Sequence, residues 1–252
     1  MTEPSTATGR AGSAARARAG PAARPARAGW ALIAAAVLYN AWVLEAVLPT
    51  GLDPRHSYVS ELYAADQPFH TLFGGIEIVT ALLVAAGALF LPVRHGPAAG
   101  PWAGAGRWAL VAFAASSVAD VVVPMRCAPS VNHACEAVNP WHTATSALAH
   151  AALFGSMALL VTAAFRSPGW PPLRRWGPWV LGAALLTALT TVGPLFARPG
   201  WHGIPQRAHL VLVGVWLILL ATARRPEPDP APPPRGAGRT PPPAGGGRAA
   251  PP

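Results

Sequence analysis

Lysine is missing from this chain, and all 19 of its basic residues are arginine. That gap, together with the richness in Ala, Gly, Pro and Arg, reads as coding bias and carries no functional meaning. Charge of either sign is scarce: 12% of the residues are charged, against about 25% in ordinary soluble domains. A chain this poor in charge and 52% hydrophobic fits a protein whose solvent is mostly lipid. No GxxxxGKS/T, GxGxxG or HExxH pattern occurs, so an ATPase, a nucleotide-cofactor enzyme and a metalloprotease of that type all lose support. The formal charge of +9 would suggest nucleic acid as a partner, but the arginines form no single stripe or helix face, and nucleic acid is set aside. They stand between apolar runs, where topology signals are placed.

Six apolar stretches, 30–48, 69–91, 108–125, 141–165, 176–196 and 204–223, approach the length of about 20 residues that a helix needs to cross hydrocarbon. Lipid offers a backbone no hydrogen-bond partner, so each is expected to be helical. The expected fold class is therefore all-α, a polytopic integral membrane protein built as a six-transmembrane-helix bundle over 30–223. Trp30, Trp108, Trp141, Trp176 and Trp201 lie near predicted ends, as interfacial anchors do. Residues 1–29 and 224–252 bury too little apolar surface to offset ordering and are expected to be a disordered arm and tail. The first stretch is expected to be a retained helix rather than a cleaved signal, because an arginine-dotted arm precedes it and further spans follow.

Arginine placement sets an expected orientation. Arg10 to Arg27, Arg94, Arg107, Arg166, Arg174, Arg175, Arg224 and Arg225 fall on one side of an alternating chain, and only Arg55, Arg126, Arg198 and Arg207 fall on the other. The positive-inside rule then puts both termini in the cytoplasm and the protein in the plasma membrane. Asp53, Glu61, Asp66 and Glu136 agree, since all lie in the outer connections. Cys127 and Cys135 share the third connection, on the outer side, and are expected to pair as a disulfide, the alternative being two free thiols. A cysteine metal site has less support, because no CxxC partner motif stands nearby.

The ionisable residues inside the spans gather toward the outer side. Asp120 lies about 7.5 Å before the end of the third span, too deep for a short side chain to reach water, and needs a donor, a cation or a metal. A packing role, with a hydroxyl, Arg126 or Arg207 as partner, is the alternative. In the fourth span, Asn139 is a good N-cap and Pro140 suits the first helical position. His142, Ser146 and His150 then recur at four-residue steps on one face. His142 and His150 stand about 12 Å apart, too far to hold one metal. In the sixth, Gln206 and Arg207 are at the mouth and His209 about a turn inside. Arg207 could instead snorkel to headgroups, and His209 could be a satisfied interhelical histidine. His70 and Glu77 share a face of the second span, and Ser60 and Glu61 lie in a polar segment able to cap the bundle.

These residues carry a resemblance. Ser60-Glu61-Leu62, Ala119-Asp120 with Pro124-Met125-Arg126-Cys127, Cys135, Trp141-His142 with Ser146, and Gly203-Ile204-Pro205-Gln206-Arg207 resemble the bacterial membrane family catalogued as domain of unknown function 998, over roughly residues 29–223. The resemblance implies a six-helix membrane protein with an outer-side cysteine pair and no established substrate. A looser resemblance, in residue types and membrane side alone, is to ceramidase-like and adiponectin-receptor-like metal hydrolases. It implies Asp120, His142 and His209 as zinc ligands, with Ser146 in a supporting role. The chain departs from that pattern in having six apparent spans and no HxxxH pair in the last.

Two functions follow as expectations. The first is an outer-leaflet polar pocket binding a lipid or other amphipathic ligand, lined by Ser60, Glu61, His70, Glu77, His150 and Gln206. The second is a zinc hydrolase of a lipid ester or amide, in which a metal-bound water attacks and Arg207 holds the developing oxyanion. A transporter is less favoured, since its site belongs near the midplane, where Glu77 alone approaches.

Overall fold

The computed structural model describes residues 23–91, 101–134, 139–167, 169–192 and 200–223. Six long helices account for most of them: α1 (Ala23–Leu38), α2 (His70–Phe90), α3 (Trp102–Val122), α4 (Pro140–Arg166), α5 (Pro171–Thr191) and α6 (Gly203–Thr222). Among the described residues there is no strand. Five stretches are long and apolar enough to cross a membrane among the described residues: Arg27–Ala46, α2, α3, α4 and α6. The first two turns of α5 carry Pro171, Pro172, Arg174 and Arg175, which leaves it a shorter apolar run.

The first helix differs from its expectation at both ends. It begins at Ala23, so residues 23–29 are helix rather than arm, and it stops at Leu38 before a 3₁₀ segment, Ala41–Ala46. Asn40 marks the break: its amide donates back to the Ala36 carbonyl at 3.0 Å, and its oxygen accepts from Trp42 Nε1 at 3.2 Å. Such local side-chain bonds compete with continued helix. α4 begins as expected, with Asn139 Oδ1 accepting from the Trp141 amide and Pro140 in the first turn. The expected arm at 1–22 and tail at 224–252 lie outside the described residues.

Each helix packs on the next in sequence, and α6 closes against α1, so the six form a ring with neighbours antiparallel. Large apolar side chains such as Leu82, Leu186, Leu189 and Ile218 face outward, as a lipid-facing perimeter requires. Inside, one half of the ring is solid. Leu32, Val84, Leu110, Leu160, Leu173, Trp216 and Leu220 fill the half holding the start of α1 and the end of α2. Close packing there uses small residues: a Cβ on Gly106 would fall 2.7 Å from Leu160 Cγ, and the Ser156 hydroxyl donates to the Gly106 carbonyl at 2.8 Å. Arg166 lies over Trp102 and Arg175 over Trp176 at this same end.

The other end is closed by the connection between α1 and α2. Its short 3₁₀ turn, Val59–Tyr63, is tied down on two sides. The buried Glu61 carboxylate accepts from the Tyr58 amide at 2.8 Å and from the Ser130 amide at 3.0 Å. The Ala65 amide donates to the Met125 carbonyl at 2.9 Å, and Asp66 Oδ1 accepts from the Ala128 amide at 3.0 Å. Cys127, in the connection between α3 and α4, is buried. Its expected partner Cys135 lies outside the described residues.

Candidate functional site

Beneath the 3₁₀ turn the ring is not filled. A cavity of about 350 Å³ occupies this half of the bundle, with side chains from α2, α3, α4, α5, α6 and the end of α1 in its wall. Tyr58, Ser60 and Tyr63 form its roof, and Phe113, Leu153 and Leu210 supply apolar wall. Polar groups come from Glu77, Ser117, Asp120, His142, Ser146, His150, Gln206 and His209. Of the expected site residues, Asp120, His142, Ser146, His150, Gln206, His209, Ser60 and Glu77 therefore do share one cavity.

Asp120 is the centre of the polar network. Its Oδ2 accepts from Tyr63 Oη at 2.9 Å, and its Oδ1 from Thr145 Oγ1 at 2.6 Å and Ser146 Oγ at 2.7 Å. His142 Nδ1 lies 3.2 Å from the same Oδ1. The carboxylate thus joins α3 to α4 and to the roof. Burial, then the Asp120 charge, push the Tyr63 phenol well above its usual pKa, so it serves as a neutral donor. Glu77 and Ser117 line the same space from α2 and α3.

His209 is held differently. Its Nδ1 lies 3.1 Å from the Ala184 carbonyl, which can only accept, so this nitrogen carries the proton. The ring is 1% exposed, and its Nε2 has no hydrogen-bond partner. His150 stacks against it, centroids 5.4 Å apart and planes 24° from parallel, with His150 Nδ1 2.8 Å from the Ser146 carbonyl.

Several expectations are corrected by this arrangement. Asp120 does not meet Arg207. The Arg207 guanidinium grips Glu45 through Nε at 2.6 Å and Nη2 at 2.7 Å, and its Nη1 donates to the carbonyls of Pro54, Ser57 and Gly203. Every nitrogen has a protein acceptor, so none is left for an oxyanion or phosphate. Only glycine fits at 203, where a Cβ would lie 2.2 Å from the Pro54 carbonyl oxygen. The expected ligand set of Asp120, His142 and His209 is not assembled either. Among the described residues no three His, Cys, Asp or Glu side chains gather as metal ligands. The residues present therefore do not fit a zinc site. Ser146 Oγ donates to Asp120 Oδ1, an oxygen that also accepts from Thr145 Oγ1. Glu61 is a structural tie rather than a cavity residue. His70 sits outside, its Nδ1 2.8 Å from the Gln67 carbonyl and its Nε2 3.2 Å from Thr71 Oγ1.

Sequence reasoning did not single out Tyr39, Tyr63, Phe113 or Thr145. Thr145 could have been found as the neighbour of Ser146 on the His142 face. Nothing local marks the tyrosines, because Tyr63 meets Asp120 across 57 residues of chain.

The fold and site define a helical bundle of membrane character with one polar-lined cavity at one end. The chain belongs to the DUF998 family, described as proteins of unknown function, whose model matches residues 10–223. No curated protein and no solved structure matches it. The looser likeness to ceramidase-like hydrolases finds no support there.

Proposed function

We propose that this protein is a multi-pass membrane protein of the plasma membrane that binds a lipid-like, amphipathic molecule in the cavity beneath residues 59–63. All six helices cross the bilayer in this reading, and arginine placement puts both termini in the cytoplasm and the cavity in the outer half. The observation that carries the reading is a shared space lined both by polar groups and by Phe113, Leu153 and Leu210, with His209, whose Nε2 has no hydrogen-bond partner, among the lining residues. A buried polar atom without a partner is costly, and a ligand donor removes that cost. The zinc-hydrolase alternative draws no support from the geometry, since Asp120 is saturated by donors and His209 stands on His150.

Native mass spectrometry of the protein released from a neutral detergent tests the proposal. A one-to-one amphiphile adduct is expected on the wild type and is expected to vanish in Ala149→Phe, which fills the cavity from α4. Identical adducts on both proteins would count against it. The same orientation places Cys127 and Cys135 in an oxidising compartment, where they form a disulfide. Alkylation before and after reduction is expected to label both cysteines only after reduction. Labelling of both in the unreduced, denatured protein would remove the pairing.

A further inference from the structure

The cavity wall holds acidic groups and no guanidinium or ammonium. Its acidic members are Glu77 and Asp120, and no arginine lines it among the described residues. Lysine cannot contribute, since the chain has none. The Arg207 guanidinium at this end is committed to Glu45 and three carbonyls. An anionic headgroup entering here would meet two acidic side chains and neither arginine nor lysine, which is costly in a low-dielectric site.

Two further features have the same sense. Tyr39, Tyr58, Tyr63 and Phe113 present aromatic rings to the space, and ring faces attract cations. The unpartnered His209 Nε2 is an acceptor, because Nδ1 holds the ring proton against the Ala184 carbonyl. It can be satisfied by an N–H or O–H and not by a phosphate or carboxylate oxygen. The two carboxylates differ in their room for a ligand. Asp120 already has three hydroxyl donors and His142, whereas Glu77 lines the space without such a set of donors among the described residues.

We propose that the cavity receives the protonated primary or secondary amine of a cationic amphiphile, with the ammonium N–H groups on Glu77, the tyrosine rings around it, and the apolar body against Phe113, Leu153 and Leu210. Asp120 adds field without direct contact. This rests on the amphiphile-binding reading above and narrows it to one headgroup chemistry.

Three probes of one chain length separate the two readings: dodecylamine, dodecanol and dodecyl phosphate, titrated into the full-length protein in a neutral maltoside detergent, with binding read by thermophoresis and by melting temperature. Dodecylamine is expected to bind about tenfold tighter than dodecanol, the step that one charge-assisted hydrogen bond supplies, and dodecyl phosphate weakest of the three. Trimethyldodecylammonium, which has no N–H, is expected to fall below dodecylamine. In Glu77→Gln the amine preference is lost while dodecanol still binds, which reports an intact fold. Equal binding of dodecylamine and dodecanol, or tighter binding of the phosphate, would overturn the amine assignment and leave the amphiphile cavity standing. Binding of trimethyldodecylammonium as tight as dodecylamine would overturn the hydrogen bond given to Glu77. Failure of every probe to bind would overturn both readings.

Discussion

Replacement of Asp120 by alanine is expected to destabilise the bundle by about 3–5 kcal/mol, the range seen when one partner of a buried charged network is removed. The substitution takes away the acceptor of three hydroxyl donors at once: Tyr63 from the roof, and Thr145 and Ser146 from α4. Thr145 can fall back on the Trp141 and His142 carbonyls it already reaches, at 3.1 and 3.0 Å. Tyr63 and Ser146 have no such recourse, and an unsatisfied buried donor is costly by itself. Asp120→Asn is expected to lose less, about 1–3 kcal/mol, because it keeps the shape and one acceptor oxygen while turning an amide toward a hydroxyl. Thermal denaturation in detergent ranks wild type, Asn and Ala in that order. An Ala variant that melts with the wild type would show that the carboxylate does not hold α3, α4 and the roof together. Tyr63→Phe removes one arm of the network and is expected to lie between wild type and Asp120→Ala.

Arg207→Ala is expected to have an effect of the same size for a different reason. It leaves Glu45, whose side chain is 4% exposed, as a buried carboxylate without its cation. That loss is again about 3–5 kcal/mol. Arg207→Lys is not expected to rescue it. The guanidinium serves Glu45 through two nitrogens and three carbonyls through the third, and an ammonium cannot reproduce that planar fork. Removing both charges, as Glu45→Met with Arg207→Met, is expected to recover much of the loss, because the desolvation of both ions is removed with the pair. A double-mutant cycle on melting free energy measures the coupling. If Arg207→Ala and Glu45→Ala are additive, the pair does not act as a unit and the reading of this socket is wrong.

These two networks bear on function through the cavity. Asp120 holds Tyr63 in the roof, and Arg207 holds residues 54–57 against the start of α6 beside Gln206, whose Oε1 accepts from the Val59 amide at 2.7 Å. Neither network includes Glu77 or His209, so stability and headgroup preference can be separated by mutation.

Much of the architecture was legible beforehand. The six apolar stretches became six helices, with the starts of α2, α4 and α6 within about a residue of expectation, inside the usual scatter of helix ends. Asn139 and Pro140 opened α4 as their chemistry dictates. The gathering of polar residues at one end was also visible, because alternation of direction alone places Glu77, Asp120, His142 and His209 near the same end. What misled was the step from same end to same point. Asp120 and His142 do meet, but His209 faces Ala184 and His150, and Arg207 faces Glu45.

The sequence by itself determined where helices run and which end of the bundle is polar, because hydrophobic length and backbone hydrogen bonding are local demands that lipid makes strict. Only the tertiary structure decided which polar groups touch. Each residue turns a helix by about 100°, so a small change in axial rotation hands a side chain to a different neighbour. Contacts such as Glu45 with Arg207, 162 residues apart, arise only when the ring closes α6 against α1. The empty half of that ring, with its carboxylates, tyrosines and one bare imidazole nitrogen, is a product of that closure.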